Sequence, residues 1–373
     1  MFSGLFYLGD ENLRENDYMR IAIEEAKKGM GWTSPNPMVG AVVVKDGKII
    51  SKDYHHKCGE YHAERNALLK CGDDARGADL YVTLEPCCHF GKTPPCTDII
   101  IEKGIKRVFM GSDDPNPLVA GKGRKILEEH GIEVISGVLK DECDAMNEVF
   151  FHYITAKTPF VVMKYAMTAD GKIATVTGAS KWITGESARN SVHQDRHRYS
   201  GIMAGIGTVL ADDPMLNCRL PGGRNPVRII CDSSLRTPID SNIVKTAGEI
   251  PTIIATVRSD EKRRREYEDR NVSVITTSPK DGRVDLRELM IKLGELGIDS
   301  VLLEGGAGLN FSALEAGIVN RVKCYIAPKI FGGDSAKTPV GGRGVELPAN
   351  AFMLGDAEIS RFDEDILIEW KVR

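Results

Sequence analysis

His62-Ala63-Glu64, followed by Glu85-Pro86-Cys87-Cys88-His89-Phe90-Gly91-Lys92-Thr93-Pro94-Pro95-Cys96, is the stretch around which this 373-residue chain is organised. A histidine, cysteines set beside prolines, and a carboxylate next to the histidine are the groups that bind zinc and move a proton beside it. A catalytic zinc keeps three protein ligands and leaves its fourth position to water, whose pKa falls to about 7. His62, Cys87 and Cys96 would supply the three. Residues two apart on an ideal helix point roughly 200° away from each other. His62 and Glu64 therefore share a site only at a helix entrance, where Glu64 takes a proton from the attacking water without ligating the metal. The first expectation is metal-assisted hydrolysis.

The H-x-E and P-C elements match the signature of zinc nucleobase deaminases, which ends in P-C-x-x-C. Here Phe90 stands where the second cysteine belongs. The second thiolate is then Cys96, after an insertion, or else Cys88 or His89 steps in; adjacent Cys87 and Cys88 on one ion would be strained. Cys96 falls in the first turn of an expected helix, where the positive end of the dipole favours a thiolate.

Composition limits what surrounds this stretch. A chain of 373 residues exceeds the size at which single cores usually split, so two domains are expected. Apolar residues at 42% and charged residues at 27% describe a globular protein. No apolar run is long enough to span a bilayer, and the N-terminus lacks the basic-then-apolar order of a secretory signal. Nine scattered cysteines argue for reduced thiols and a cytoplasmic setting. A net charge of −4 gives a phosphate backbone little to bind. The run Lys262-Arg263-Arg264-Arg265 is interleaved with glutamates and reads as a solvated helix face.

Along the first half, Asn16 and Asp17 can cap a helix over 16–28, with Gly29 as its stop. Pro35-Asn36-Pro37 fixes a loop that aims Asn36, and its place beside the metal motif makes Asn36 a candidate substrate contact. Strand 39–44 with an Asp46-Gly47 turn, helix 62–70, strand 80–84, helix 96–103, strand 108–110, helix 123–130 and strand 132–135 follow. Alternating strands and helices imply a three-layer α/β/α domain.

The insertion closely resembles the deaminase half of the RibD family, the bifunctional deaminase/reductases of riboflavin biosynthesis. Pro35-Asn36-Pro37-Met38-Val39-Gly40-Ala41-Val42-Val43, Gly77-Ala78-Asp79-Leu80-Tyr81-Val82-Thr83-Leu84-Glu85 and Asp114-Pro115-Asn116-Pro117-Leu118-Val119-Ala120-Gly121 agree with it. The resemblance implies Cys87 and Cys96 as ligands and leaves Cys88, often serine in the family, outside the shell.

Residues 145–158 read as a junction, placing a zinc-dependent deaminase domain at 1–148 and a reductase domain at 149–373. The second half alternates again: strand 160–166, helix 186–199, strands 201–204, 227–232 and 252–256, helix 260–270, strand 272–275, helix 285–296, strand 300–303 and helix 309–315. Glu304-Gly305-Gly306-Ala307-Gly308-Leu309-Asn310 follows a strand and opens a helix, where backbone amides approach a phosphate. Ala204-Gly205-Ile206-Gly207-Thr208 is a second glycine-rich strand end, and two such ends can flank a dinucleotide.

The resemblance continues here, on Asp170-Gly171-Lys172-Ile173-Ala174, Ser180-Lys181-Trp182-Ile183-Thr184, Gly207-Thr208-Val209-Leu210-Ala211-Asp212-Asp213-Pro214 and Ala327-Pro328-Lys329. It implies a dihydrofolate-reductase-like α/β domain that uses NADPH. Carried over by motif, Ala166, Trp182, Thr208, Asp212, Ser233 and the turn Gly306, Ala307, Gly308, Leu309, Asn310, Phe311 and Ser312 would contact NADPH. Ser180, Arg196, Leu216, Arg219 and Glu304 would contact the phosphorylated sugar; arginines grip phosphate bidentately. Lys164 or Asp170 is a candidate for proton delivery in the reduction.

The expected function is zinc-dependent deamination of 2,5-diamino-6-(5-phosphoribosylamino)pyrimidin-4(3H)-one, then NADPH-dependent reduction of the ribosyl chain to give 5-amino-6-(5-phosphoribitylamino)uracil. The alternative is a zinc deaminase of another nucleobase or of tRNA carrying an inactive appendage. Expected partners are a small phosphorylated pyrimidine and further copies of the chain in a homo-oligomer, with no nucleic acid and no membrane.

Overall fold

The computed structural model describes residues 13–373 apart from Lys92 and Leu118. Those two motif positions, and the patternless residues 1–12, lie outside the described residues. The chain divides into two compact units between Ala156 and Lys157.

The first unit runs α1 (Glu15–Lys27), β1 (Gly40–Lys45), β2 (Lys48–Tyr54), α2 (Ala63–Cys71), β3 (Asp79–Leu84), α3 (Cys96–Glu102), β4 (Arg107–Ser112), α4 (Lys122–Glu129), β5 (Glu133–Ser136), α5 (Lys140–Met146) and α6 (Glu148–Ala156). Its sheet has the order β2-β1-β3-β4-β5, with β1 antiparallel to both neighbours and β3, β4 and β5 parallel. Successive side chains of a strand leave opposite faces. Val42, Val44, Tyr81 and Phe109 accordingly pack against Met19, Ala22 and Ile23 of α1 and Cys143 of α5. Ala41, Val43, Leu80, Val82, Val108 and Met110 pack on the other face against Ala67 and Leu68 of α2, Ile99 and Ile100 of α3 and Leu127 of α4. These are the three layers expected from the alternation.

Two local expectations need correction, and one strand goes beyond them. Helix α1 starts before Asn16: its N-cap is Arg14, and Asp17 acts from the third helical position, accepting the Arg14 N–H at 3.0 Å. The Asp46-Gly47 turn has positive φ at both residues, 50° and 74°, and so turns the chain into β2, a strand whose polar, half-exposed sequence gave no strand signal. The boundary at 148/149 cuts into α6 after its first residue, whereas Phe150, Phe151 and Ile154 of that helix belong to the first unit's core and the unit runs to Ala156.

The second unit continues β6 (Phe160–Thr168), α7 (Glu186–Arg198), β7 (Gly201–Gly205), α8 (Ile206–Asp212), β8 (Val227–Cys231), α9 (Asn242–Lys245), β9 (Thr252–Thr256), α10 (Glu261–Glu268), β10 (Val272–Thr276), β11 (Pro279–Lys280), β12 (Arg283–Val284), α11 (Leu286–Glu295), β13 (Ser300–Leu303), α12 (Ala307–Glu315), β14 (Arg321–Ala327), β15 (Leu354–Phe362) and β16 (Asp365–Val372). Nine strands form one sheet in the order β10-β9-β8-β7-β13-β6-β14-β16-β15. The first seven in that order run parallel; β16 and β15 close the edge antiparallel. One face packs on α11 and α12 through Met203, Ile229, Val301 and Leu303. The opposite face carries Ile202, Ala204, Ile230 and Ile254 against α8, α9 and α10. Parallel strands covered on both sides explain the near-continuous apolar runs of this half. The glycine-rich 204–208 segment leads straight into a helix, α8, that its sequence did not announce.

Candidate functional site

His62 is the N-cap residue of α2, with extended backbone at φ −74° and ψ 164°, and Glu64 is the second residue of the helix. The helix entrance thus removes the helical angle that would separate them. Cys87 lies just beyond β3, and Cys96 is the first residue of α3 behind Pro95. The amides of Cys96 and Thr97 donate to the Cys87 carbonyl at 3.0 and 3.2 Å, which clamps the 87–96 loop against the start of α3.

His62 Nδ1 stands 3.4 Å from Cys87 Sγ and 3.5 Å from Cys96 Sγ, and the three donor atoms lie within 4.8 Å of one another. A tetrahedral zinc with bonds of about 2.3 Å to sulfur and about 2.0 Å to nitrogen separates its donors by roughly 3.5–3.8 Å, so the set fits that ion. Among the described residues these three form the one group of histidine, cysteine and carboxylate donors close enough to share a metal. Cys88 and His89 are not in it. The imidazole of His62 is raised and the Cys87 thiol lowered, chiefly because Cys87 accepts hydrogen bonds from its neighbours, whereas Cys96 is pushed up as the donor to Cys87. Thiolates and a neutral imidazole are the forms in which such groups bind a cation, so metal binding would release their protons.

Glu64 is buried, and its Oε2 has no hydrogen-bond partner. Burial pushes its carboxyl up to about 7, with the neighbouring His62 opposing. An acid near neutrality can both accept and return a proton. His62, Glu64 and Cys87 line a cavity of about 390 Å³ that also takes in Asn36, His55, Asp114 and Asn116.

Sequence reasoning missed His55. It is buried, with Nδ1 3.0 Å from the Tyr61 carbonyl and Nε2 3.2 Å from the Asn36 amide nitrogen. A carbonyl only accepts, so Nδ1 carries the proton and Nε2 accepts from Asn36 Nδ2. Burial lowers this histidine and keeps it neutral. Asn36 thereby keeps its oxygen for a ligand N–H. No local pattern announces His55, because it meets Asn36 only when the end of β2 returns beside the proline loop. Glu85, quoted with the motif, lines the same cavity, but its carboxylate is engaged: it accepts from the amides of Gly121 and Arg124 at 3.0 and 3.2 Å and so caps α4.

In the second unit a cleft of about 920 Å³ lies at the carboxyl ends of β7, β8 and β13. It gathers Ser233, Gly308, Leu309, Phe311 and Ser312 of the expected cofactor residues, with Gly205 and Gly207. Ala166, Trp182, Thr208, Asp212, Gly306 and Ala307 are not among its lining residues. Asn310 is fully buried and ties α12 to the Pro339 carbonyl at 2.8 Å.

The sugar-phosphate set splits. Arg196 spends its fork on Glu304, Nε to Oε1 at 2.7 Å and Nη2 to Oε2 at 3.0 Å, and gives Nη1 to the Asn217 carbonyl at 3.0 Å. It is thus a strut for Glu304, while Arg219 is exposed. Arg196 and Lys164 Nζ, 4.0 Å away, hold the Glu304 carboxyl down at about 2 despite its burial. Leu216 points its side chain into the core and has φ 47°, so only its backbone is available to a ligand. Ser180 is half-buried ahead of Trp182, whose exposed ring stacks on the Arg189 guanidinium at 4.7 Å. Asp170 is committed to the fold, accepting from the amides of Phe331 and Gly332.

A cysteine-histidine donor set on an α/β/α unit, and in the same chain a second unit with a glycine-lined cleft in a parallel sheet, define a zinc-dependent deaminase joined to a reductase. Residues 13–112 match the cytidine and deoxycytidylate deaminase zinc-binding region, and residues 159–368 match the RibD C-terminal domain. The chain belongs to the RibD family of riboflavin biosynthesis. It is 58% identical over 362 residues to the riboflavin biosynthesis protein RibD of Actinobacillus pleuropneumoniae, covering 97% of this chain and 96% of the relative. The RibD of Aquifex aeolicus is 43% identical, covering 96% and 98%. Among solved structures, Acinetobacter baumannii RibD superposes with a TM-score of 0.86 at 34% identity. A deaminase/reductase from Thermotoga maritima superposes at 0.84 and 41%; each pairing covers 96% of this chain and 98% of the other.

Proposed function

We propose that this bifunctional enzyme deaminates 2,5-diamino-6-(5-phosphoribosylamino)pyrimidin-4(3H)-one in the first unit. The second unit then reduces the ribosyl chain with NADPH to give 5-amino-6-(5-phosphoribitylamino)uracil. The observation that carries the reading is the unpartnered, buried Glu64 Oε2 beside the His62, Cys87 and Cys96 donors. Zinc held there supplies the Lewis acidity that makes a water nucleophilic near neutral pH. Glu64 takes a proton from that water as oxygen attacks the ring carbon bearing the amine, and returns a proton to the departing nitrogen, so ammonia leaves and a carbonyl remains. Asn36, oriented by His55, accepts a hydrogen bond from a ring substituent and fixes the pyrimidine.

In the second unit NADPH supplies the hydride. The glycines at Gly205, Gly207 and Gly308 let backbone approach its phosphates, and α12 presents its unfilled N-terminus there. Glu304, kept ionised by Arg196 and Lys164, receives the sugar hydroxyls, and Arg219 is available to the phosphate. The remaining expected contacts, Ala166, Trp182, Thr208, Asp212, Gly306, Ala307, Ser180 and the Leu216 backbone, stand as proposals around the same reaction.

The reading carries a cytoplasmic location, supported by nine free cysteines. Among the described residues no helix is long and apolar enough to cross a membrane. It also carries a homo-oligomer, supported by exposed Leu347, Met353 and Ile359 near the β15 edge; sedimentation of the purified protein tests it. Incubation with the diaminopyrimidinone phosphate, with and without NADPH, tests the chemistry. Ammonia should appear in both, and NADPH absorbance should fall only after ammonia release; no ammonia, or no NADPH consumption, overturns the corresponding half.

A further inference from the structure

Two like charges face each other across the short hairpin at the rim of the second unit's cleft. Strands β11 and β12 are two residues each, joined by Asp281-Gly282 with positive φ at both residues, 50° and 72°. This is the type I′ turn that Asp-Gly favours. In this register Lys280 stands directly opposite Arg283, so both side chains leave one face of the hairpin. Like charges so placed repel, and among the described residues neither forms an ion pair. Both line the cleft, and so does Arg236 from the loop after β8, which is likewise without an ion pair. The cleft's Glu315 is already answered by Arg343. Three cations therefore stand against the single carboxylate of Asp281.

Their placement is fixed by the fold. Asp232, fully buried, accepts from the amides of Ser234 and Thr237 at 3.3 and 2.7 Å and from the Thr237 hydroxyl at 2.8 Å, which holds the loop that carries Ser233 and Arg236. The Val284 amide donates to Ser233 Oγ at 3.2 Å and ties the hairpin to that loop. The glycine turns after β7 and β13 are adjacent in the sheet, whereas the cationic loop follows β8, one strand further out. The proposed sugar contact Glu304 and its neighbour Lys164 lie on the other side, just after β13 and on β6, so a dinucleotide that faces them with its nicotinamide and rests its pyrophosphate on the glycine turns extends its adenosine end over β8. The pyrophosphate is common to NADH and NADPH, so the glycine turns cannot tell them apart.

We infer that Arg236, Lys280 and Arg283 form the clamp for the 2′-phosphate of the nicotinamide dinucleotide, and that these three side chains select NADPH over NADH. The inference rests on the reductase reading above and names the residues that decide its cofactor. Each contributes a charge-assisted contact to a dianionic group that NADH lacks.

The test is equilibrium binding of NADPH, NADH and 2′,5′-ADP to the full-length protein and to the R236Q, K280Q and R283Q variants. Each substitution should weaken NADPH and 2′,5′-ADP about tenfold, the fold-change a lost charge-assisted contact gives, and leave NADH within about twofold. The wild-type preference for NADPH should also fall with added salt. Variants that keep the NADPH preference, or that weaken both dinucleotides equally, overturn the clamp while leaving the reductase standing. A wild-type protein that binds neither dinucleotide overturns the reductase reading itself. Unchanged thermal unfolding of these exposed-residue variants confirms that folding is not the cause.

Discussion

The two sites of this chain are built on opposite plans. In the first unit the proposed reactive atoms come from side chains at element ends, His62 and Glu64 at the start of α2 and Cys96 at the start of α3. In the second, glycines at strand ends line part of the cleft, and the buried charges elsewhere in the unit are spent on one another, Arg196 on Glu304 and Lys323 on Asp195 at 2.9 Å. A metal needs three donor atoms within one coordination sphere, which a few fixed residues can provide. A dinucleotide needs a long groove and only a few polar anchors, so its site is spread over many elements. The first plan should fail abruptly under single substitutions and the second by degrees.

The sharpest break is at the ligands. Cys96→Ser should lose bound zinc and with it ammonia release, while Cys88→Ser should keep both; metal analysis and ammonia assay decide, and equal zinc loss in the two would void the ligand assignment. Next is Glu64→Gln, which should cut ammonia release about 10²–10⁴-fold with zinc content unchanged, as expected for loss of a proton-transfer group. The same variant should still oxidise NADPH when given deaminated substrate. Joint loss of both activities would erase the contrast between the two sites.

In the second unit Arg196→Met should destabilise by about 3–5 kcal/mol, because Glu304 is left buried without its bidentate partner; denaturant unfolding measures it. The pH dependence is smaller and has a definite sign. Glu304 is held at about 2, below its unfolded value of about 4.5, so its contribution to stability is complete above pH ~4.5 and is lost as pH falls towards 2. The stability gap between wild type and Glu304→Gln should therefore narrow on going from about pH 5 to about pH 3. A gap that widened would mean Glu304 is not ionised in the folded protein.

Much of this was legible in one dimension. Short apolar runs separated by helical stretches marked most of the parallel strands, and the His-x-Glu and Pro-Cys spacing marked the proposed metal donors, because zinc chemistry restricts both residue type and separation. Strand β2 escaped because an edge strand needs little apolar content, and α8 because its glycines favour no element by themselves. The boundary was set early because α6 looks like a linker until its phenylalanines are seen in the first unit's core. Arg196 read as a phosphate grip because sequence cannot show that its fork is already filled.

The sequence by itself determined the two-unit α/β plan, His62 and Cys87 as proposed zinc donors, and the carboxylate beside them. Each of these follows from short-range spacing and side-chain chemistry. Only the tertiary structure decided that Cys96 rather than Cys88 or His89 completes the donor set, that His55 orients Asn36, and that Arg196 serves Glu304. It also brought Arg236 to one cleft with Lys280 and Arg283. Those contacts join residues distant in the chain, and long-range distances are set by how sheets and helices pack, which no local pattern encodes.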